Sequence, residues 1–143
     1  MKKIFENWKR FALKESEYRM DHQPADPEDA APIYDLTMNG VYPDDVYGPN
    51  GPSWYGIGDG SDRDAWNKVM SLKDKPNAFV TIFRAVPKGV TQINSGDWVT
   101  ITKQYAIDHG EGMNEEYDVI SKRVLAKRIY TDGNSILEWG FWM

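Results

Sequence analysis

Two charges interrupt apolar strand faces in this sequence, one near its middle and one near its end. In residues 79–86, FVTIFRAV, alternation puts Phe79, Thr81, Phe83 and Ala85 on one face and Val80, Ile82, Arg84 and Val86 on the other. Arg84 is therefore a permanent cation among aliphatic side chains. Residues 135–142, SILEWGFW, repeat the arrangement with the opposite sign. Leu137, Trp139 and Phe141 share one face, and Glu138 lies between Ile136 and the small Gly140 on the other. Burying one charge without a partner costs several kcal/mol. Either the two pair with each other, or one lies at an exposed edge, or both line a cleft and meet a ligand. The VTIT run adds hydroxyls: Thr100 and Thr102 share a face with Trp98 and can pair inside a sheet or bond a ligand at its end. With His109, the same two charges also suit metal-independent RNA cleavage, with Glu138 as base, Arg84 as clamp and His109 as acid.

The elements that must position these groups follow from periodicity. KIFENWKRFALKESEYR, residues 3–19, has Ile4, Phe5, Trp8, Phe11 and Ala12 at helical spacing, so an N-terminal helix is expected over about residues 1–20. Residues 22–60 are rich in Pro, Gly, Asp and aromatics, with turn signals at PADP, MNG, YPDD, GPNGP and DG. Their tyrosines and tryptophan argue against disorder, so an ordered acidic cover is expected there. Residues 62–143 form the expected core. A helix over 62–73 is capped by Asp62 and buries Trp66, Val69, Met70 and Leu72. After the strand at 79–86 comes a second at 97–102. Thr102 then caps a short helix, KQYAIDH, which Gly110 ends. YDVISKRVLAKRIY, residues 117–130, reads as one long strand or two shorter ones, TDGN as a hairpin turn, and SILEWGFW as the last strand. The order predicts a single α+β domain over 1–143, with a mostly antiparallel split sheet and flanking helices.

Composition narrows the classes. A chain of 143 residues with 41% hydrophobic and 13% aromatic content is enough for one core. Without cysteine there are no disulfides and no thiolate zinc. Two histidines with no clustered carboxylates predict no metal site, and His109 at the end of its helix reads as a dipole-stabilised surface residue. No apolar run spans a bilayer, and the basic start lacks the apolar stretch of a secretory signal, so a cytoplasmic protein is expected. GIGDG lacks the Lys-Ser/Thr ending of a phosphate loop, and there is no GxSxG elbow. The net charge is −5, and residues 20–64 carry about nine more negative than positive charges, a poor balance for general nucleic-acid binding.

An Arg on one strand, a Thr-rich strand leading into a helix and a Glu on a later strand form an order that resembles the arginine–serine–glutamate pattern of ADP-ribosyltransferases. The text is most similar to domains of that kind encoded by phages and prophages. The stretches that carry the likeness are APIYDLT, YPDDVYG, FRAVPKGVTQINSGDWVTITKQYAIDHG and YDVISKRVLAKRIYTDGNSILEWGF, which cover most of residues 31–141. The resemblance implies NAD as substrate, with no metal and no membrane, and a host protein or nucleic acid as acceptor. It implies that Arg84 holds a phosphate or the nicotinamide-side ribose. Thr100, with Thr102, positions that ribose, and Glu138 accepts a hydrogen bond from one of its hydroxyls. Ala85 and Tyr105 would line the nucleotide. Tyr42, Tyr47, Trp54 or Tyr55 of the acidic segment would stack on a ring. A fixed carboxylate suits this chemistry because positive charge builds on the ribose as nicotinamide leaves. Two positions before the glutamate, the arginine-modifying branch has a second acid. Here that position is Ile136, so arginine is not the expected acceptor. A second implied reading keeps the fold without catalysis, as a binding or inhibitor protein acting through the acidic segment.

Overall fold

The alternation of residues 79–86 folds as a strand, β2 (Phe79–Pro87), and its even-numbered face is the inner one. Val80, Ile82, Arg84 and Val86 are all buried, whereas Phe79 is 54% exposed. The structure, a computed structural model, describes residues 26–58 and 60–143; the helix expected over 3–19 and His22 lie outside the described residues.

β2 runs antiparallel to β4 (Tyr117–Leu125), paired from Phe79↔Leu125 to Pro87↔Tyr117. A second antiparallel sheet has the order β1 (Ala31–Pro32), β5 (Ile129–Thr131), β6 (Trp139–Phe141), β3 (Asp97–Val99). Among the described residues one bridge joins the two sheets: Phe83 and Thr100 exchange backbone hydrogen bonds of 2.8 and 2.9 Å. The described chain is thus an α+β domain of antiparallel strands with three α-helices: α1 (Gly51–Tyr55), α2 (Ser61–Leu72) and α3 (Lys103–Glu111). The run 117–130 resolves into the two strands β4 and β5, separated by a 3-10 turn at Ala126–Arg128.

Several local expectations need correction. Asp62 does not cap α2. It lies within the first turn, and its carboxylate accepts from Ile57 N at 2.9 Å and Gly58 N at 2.8 Å, tying down the loop before the helix. Gly56 makes that possible, because a Cβ there would lie 2.2 Å from the Asp62 carboxylate. Gly110 does not end α3 either. It packs against the Tyr117 ring, where a Cβ would lie 2.0 Å from a ring carbon, and the helix runs on to Glu111. The last strand is shorter than SILEWGFW. Ser135, Ile136 and Leu137 are all buried in the turn before β6, because Leu137 N binds Ser135 Oγ and Ile136 N binds Tyr55 O.

The acidic segment is ordered, and it is part of the core rather than only a cover. β1 pairs with β5, and Ile33, Leu36 and Val46 are almost fully buried, each worth about 1.5–3 kcal/mol of burial. Asn39, in left-handed backbone, donates to Glu28 O and Ala30 O and fixes the turn. In α2, Ala65, Val69 and Leu72 face this core, Trp66 Nε1 donates to Val46 O at 2.9 Å, and Met70 lies toward solvent.

Candidate active site

Arg84 sits where the two sheets part. In a continuous antiparallel ladder, bonded pairs recur every second residue. After Phe83–Thr100 the next would join Ala85 to Trp98. Instead the Arg84 guanidinium donates to Trp98 O at 2.7 Å, and its Nε faces Asp97 Oδ2 at 4.0 Å. Arg84 is only 3% exposed. The side chain thus holds β3 from the inner face of β2, at the point where the ladder stops. Asp97 also accepts from Asn94 N at 2.8 Å, closing the turn that starts β3. The cation expected to face a dinucleotide is engaged by β3.

Glu138 is held from a different element. Tyr105 of α3 donates its hydroxyl to Glu138 Oε2 at 3.2 Å. Tyr105 is positioned by the start of its own helix, where the Thr102 hydroxyl accepts from Tyr105 N at 3.4 Å, the cap expected from the sequence. Continuing the β3–β6 register one residue beyond Val99↔Trp139 sets Thr100 across from Glu138. Thr100 is fully buried, and its hydroxyl accepts from Thr102 N at 3.4 Å. The structure therefore brings Glu138, Thr100, Thr102 and Tyr105 together at the junction of β3, β6 and α3. By register, Arg84 falls on the alternate face of β2 from Phe83 and Thr100.

Behind Tyr105 lies His109, ring edge to ring face at a centroid distance of 4.4 Å. It is 1% exposed, not a surface residue, and burial lowers its pKa from 6.5 to about 3. So deeply buried a ring has no access to a substrate strand, which counts against His109 as the acid of the RNA-cleavage arrangement. Tyr42, from the acidic segment, is buried, and its hydroxyl makes no fully formed hydrogen bond among the described residues. Burial pushes its pKa up, Thr131 acts the other way, and the charges of Asp132 and Glu138 raise it further. Tyr42 thus lies within the electrostatic reach of Glu138.

The other nucleotide candidates are spread out. Ala85 is buried beside Met113, Trp98 and Tyr117, away from the acidic segment. Tyr47 accepts from Leu36 N at 2.8 Å through its hydroxyl, and Lys73 Nζ stands 4.5 Å over its ring. Tyr55 packs edge-on against Tyr42 and donates to Asp45. Trp54 is 60% exposed and open to a partner. Ile136 is fully buried, so the position of the second acid of the arginine-modifying branch has no access to an acceptor.

Asp97 is the residue that sequence reasoning missed. The signal was there: Asp97, Val99 and Ile101 alternate as a face with one charge, opposite in sign to the Arg84 face. Among the described residues, no three His, Asp or Glu side chains gather as a metal centre, and no helix is long and apolar enough to cross a membrane. Comparison of the chain with protein-family models, with curated proteins and with solved structures finds no match.

Proposed function

We propose that this chain is an NAD-dependent mono-ADP-ribosyltransferase of the phage-encoded kind, acting on a host macromolecule. One observation carries the reading. The segments bearing Glu138, Thr100 and Arg84 are neighbours in that spatial order, at a split between two antiparallel sheets, with the glutamate fixed by a tyrosine of the helix that follows the threonines.

In this reading the Glu138 carboxylate accepts a hydrogen bond from a hydroxyl of the nicotinamide-side ribose. The bond between the anomeric carbon and the nicotinamide nitrogen breaks, and its electron pair leaves with nicotinamide. Positive charge on the ribose is stabilised by Glu138 until an acceptor nucleophile attacks the anomeric carbon and gives up its proton. Tyr105 is a positioning residue for the carboxylate. Arg84 serves by fixing β3, the strand that leads into Thr100 and Thr102, through Trp98 O and Asp97.

The burial of Arg84 and Thr100 favours a second reading, in which the fold binds a nucleotide or a partner without cleaving NAD. Incubation with a biotin-labelled NAD and a bacterial lysate separates the two. The transferase reading expects labelled macromolecules that vanish with Glu138→Gln. Binding of NAD with no labelled product supports the second reading instead.

A further inference from the structure

The outer face of the two-stranded sheet is open at one end. Phe79, Thr81 and Phe83 line it from β2, and Ser121 and Arg123 from β4, because Thr81↔Arg123 and Phe83↔Ser121 are cross-strand pairs. Between this face and α2 lies a depression of about 390 Å³, to which Lys68 and Ser71 contribute from the helix and Phe79, Thr81 and Phe83 from the strand. The two rings sit four residues apart on one strand, roughly 13 Å at the usual rise. Each has a cation over it: the Arg123 guanidinium carbon is 4.1 Å from the Phe79 ring centre and Lys68 Nζ is 5.9 Å from that of Phe83. Lys68 is fixed by Ile101 O at 2.6 Å, with Asp64 3.5 Å away tempering its charge.

Aromatic faces interleaved with cations on an open sheet match one chemistry well: flat bases joined by phosphates. The acidic charge of the chain is concentrated in residues 20–64; on this face the cations are Lys68 and Arg123, while Lys122 alternates to the other face, over the Phe141 ring. We propose that this face binds single-stranded nucleic acid, with bases stacked on Phe79 and Phe83 and phosphates on Lys68 and Arg123. The proposal does not depend on NAD chemistry.

The test is fluorescence anisotropy of labelled ten-nucleotide dT and U oligomers with the full chain, without NAD, at about 50 and 200 mM salt. Saturable binding that weakens with salt is expected for at least one oligomer. Phe79→Ala should weaken it about 5- to 30-fold, and Arg123→Glu at least about tenfold. Lys88→Glu, at the far end of β2, should change it less than about twofold. Circular dichroism checks that each variant folds. No saturable binding at the lower salt overturns the proposal, as does binding indifferent to Phe79→Ala or equally weakened by Lys88→Glu. Sedimentation showing a dimer of the chain that Phe79→Ala dissolves also overturns it, and assigns the face to a second copy.

Discussion

Asp97→Ala isolates the contact that holds the split. Arg84 and Asp97 are both nearly sealed from solvent, with side chains 4% and 2% exposed and a separation of 4.0 Å. Removing one partner of a buried ion pair costs about 3–5 kcal/mol. The long separation argues for the lower end of that range. Asp97 also takes the Asn94 N–H, whose loss adds to the cost. A destabilisation of about 3 kcal/mol is expected, read as a fall in the urea midpoint of about 1.5 M if the slope is about 2 kcal/mol/M and does not change. A double-mutant cycle with Arg84→Met sharpens the test. The double variant should be more stable than the sum of the singles predicts, by about 1–3 kcal/mol, because both substitutions remove the same contact. A loss under about 0.5 kcal/mol for Asp97→Ala, or strictly additive effects, would refute the claim that this pair organises β3.

Other consequences are checked more simply. His109 is held neutral by burial, with its pKa lowered from 6.5 to about 3. The unfolded chain therefore binds the extra proton first, and stability should fall as pH drops from about 6.5 toward 3, by up to about 1.4 kcal/mol per pH unit from this group. His109→Gln should flatten that limb in urea titrations at several pH values; an unchanged slope would contradict the buried neutral imidazole. Gly110→Ala should lose about 1–3 kcal/mol to overpacking against Tyr117, although alanine is the better helix former, and the thermal midpoint of Gly110→Ala with Tyr117→Ala should recover part of the loss. Tyr105→Phe should cut NAD turnover about tenfold while shifting the thermal midpoint by only a few degrees, since it removes one hydrogen bond to Glu138; wild-type turnover in that variant would remove Tyr105 from the account.

Much of the fold was legible because its strands are amphipathic in a simple way. The inner face of β2, the cap at Thr102 and the turn-rich but ordered acidic segment all follow from period and residue type. What failed was where one residue serves two elements. Asp62 is a good cap by type, yet its carboxylate is taken by the preceding loop. Gly110 is a good helix stop by type, yet Tyr117, seven residues on, needs its missing Cβ. The alternation of SILEWGFW is real in composition, but Ser135 and Tyr55 take backbone groups of Leu137 and Ile136 and turn the chain before β6. The contacts of the candidate residues were less legible. Arg84 and Glu138 were marked by charge on apolar faces, but their partners, Asp97 with Trp98 O and Tyr105, depend on which strands lie side by side, and pattern alone does not set that.

Nicotinamide release from NAD by the purified protein, wild type beside Glu138→Gln, with and without bacterial lysate, tests the central claim most directly. Release by the wild type that is stimulated by lysate and abolished by Glu138→Gln, in a variant that keeps its thermal midpoint, is the expected result. No release by the wild type in either condition, or equal release by both proteins, would contradict the assignment of Glu138 as the catalytic carboxylate of a transferase.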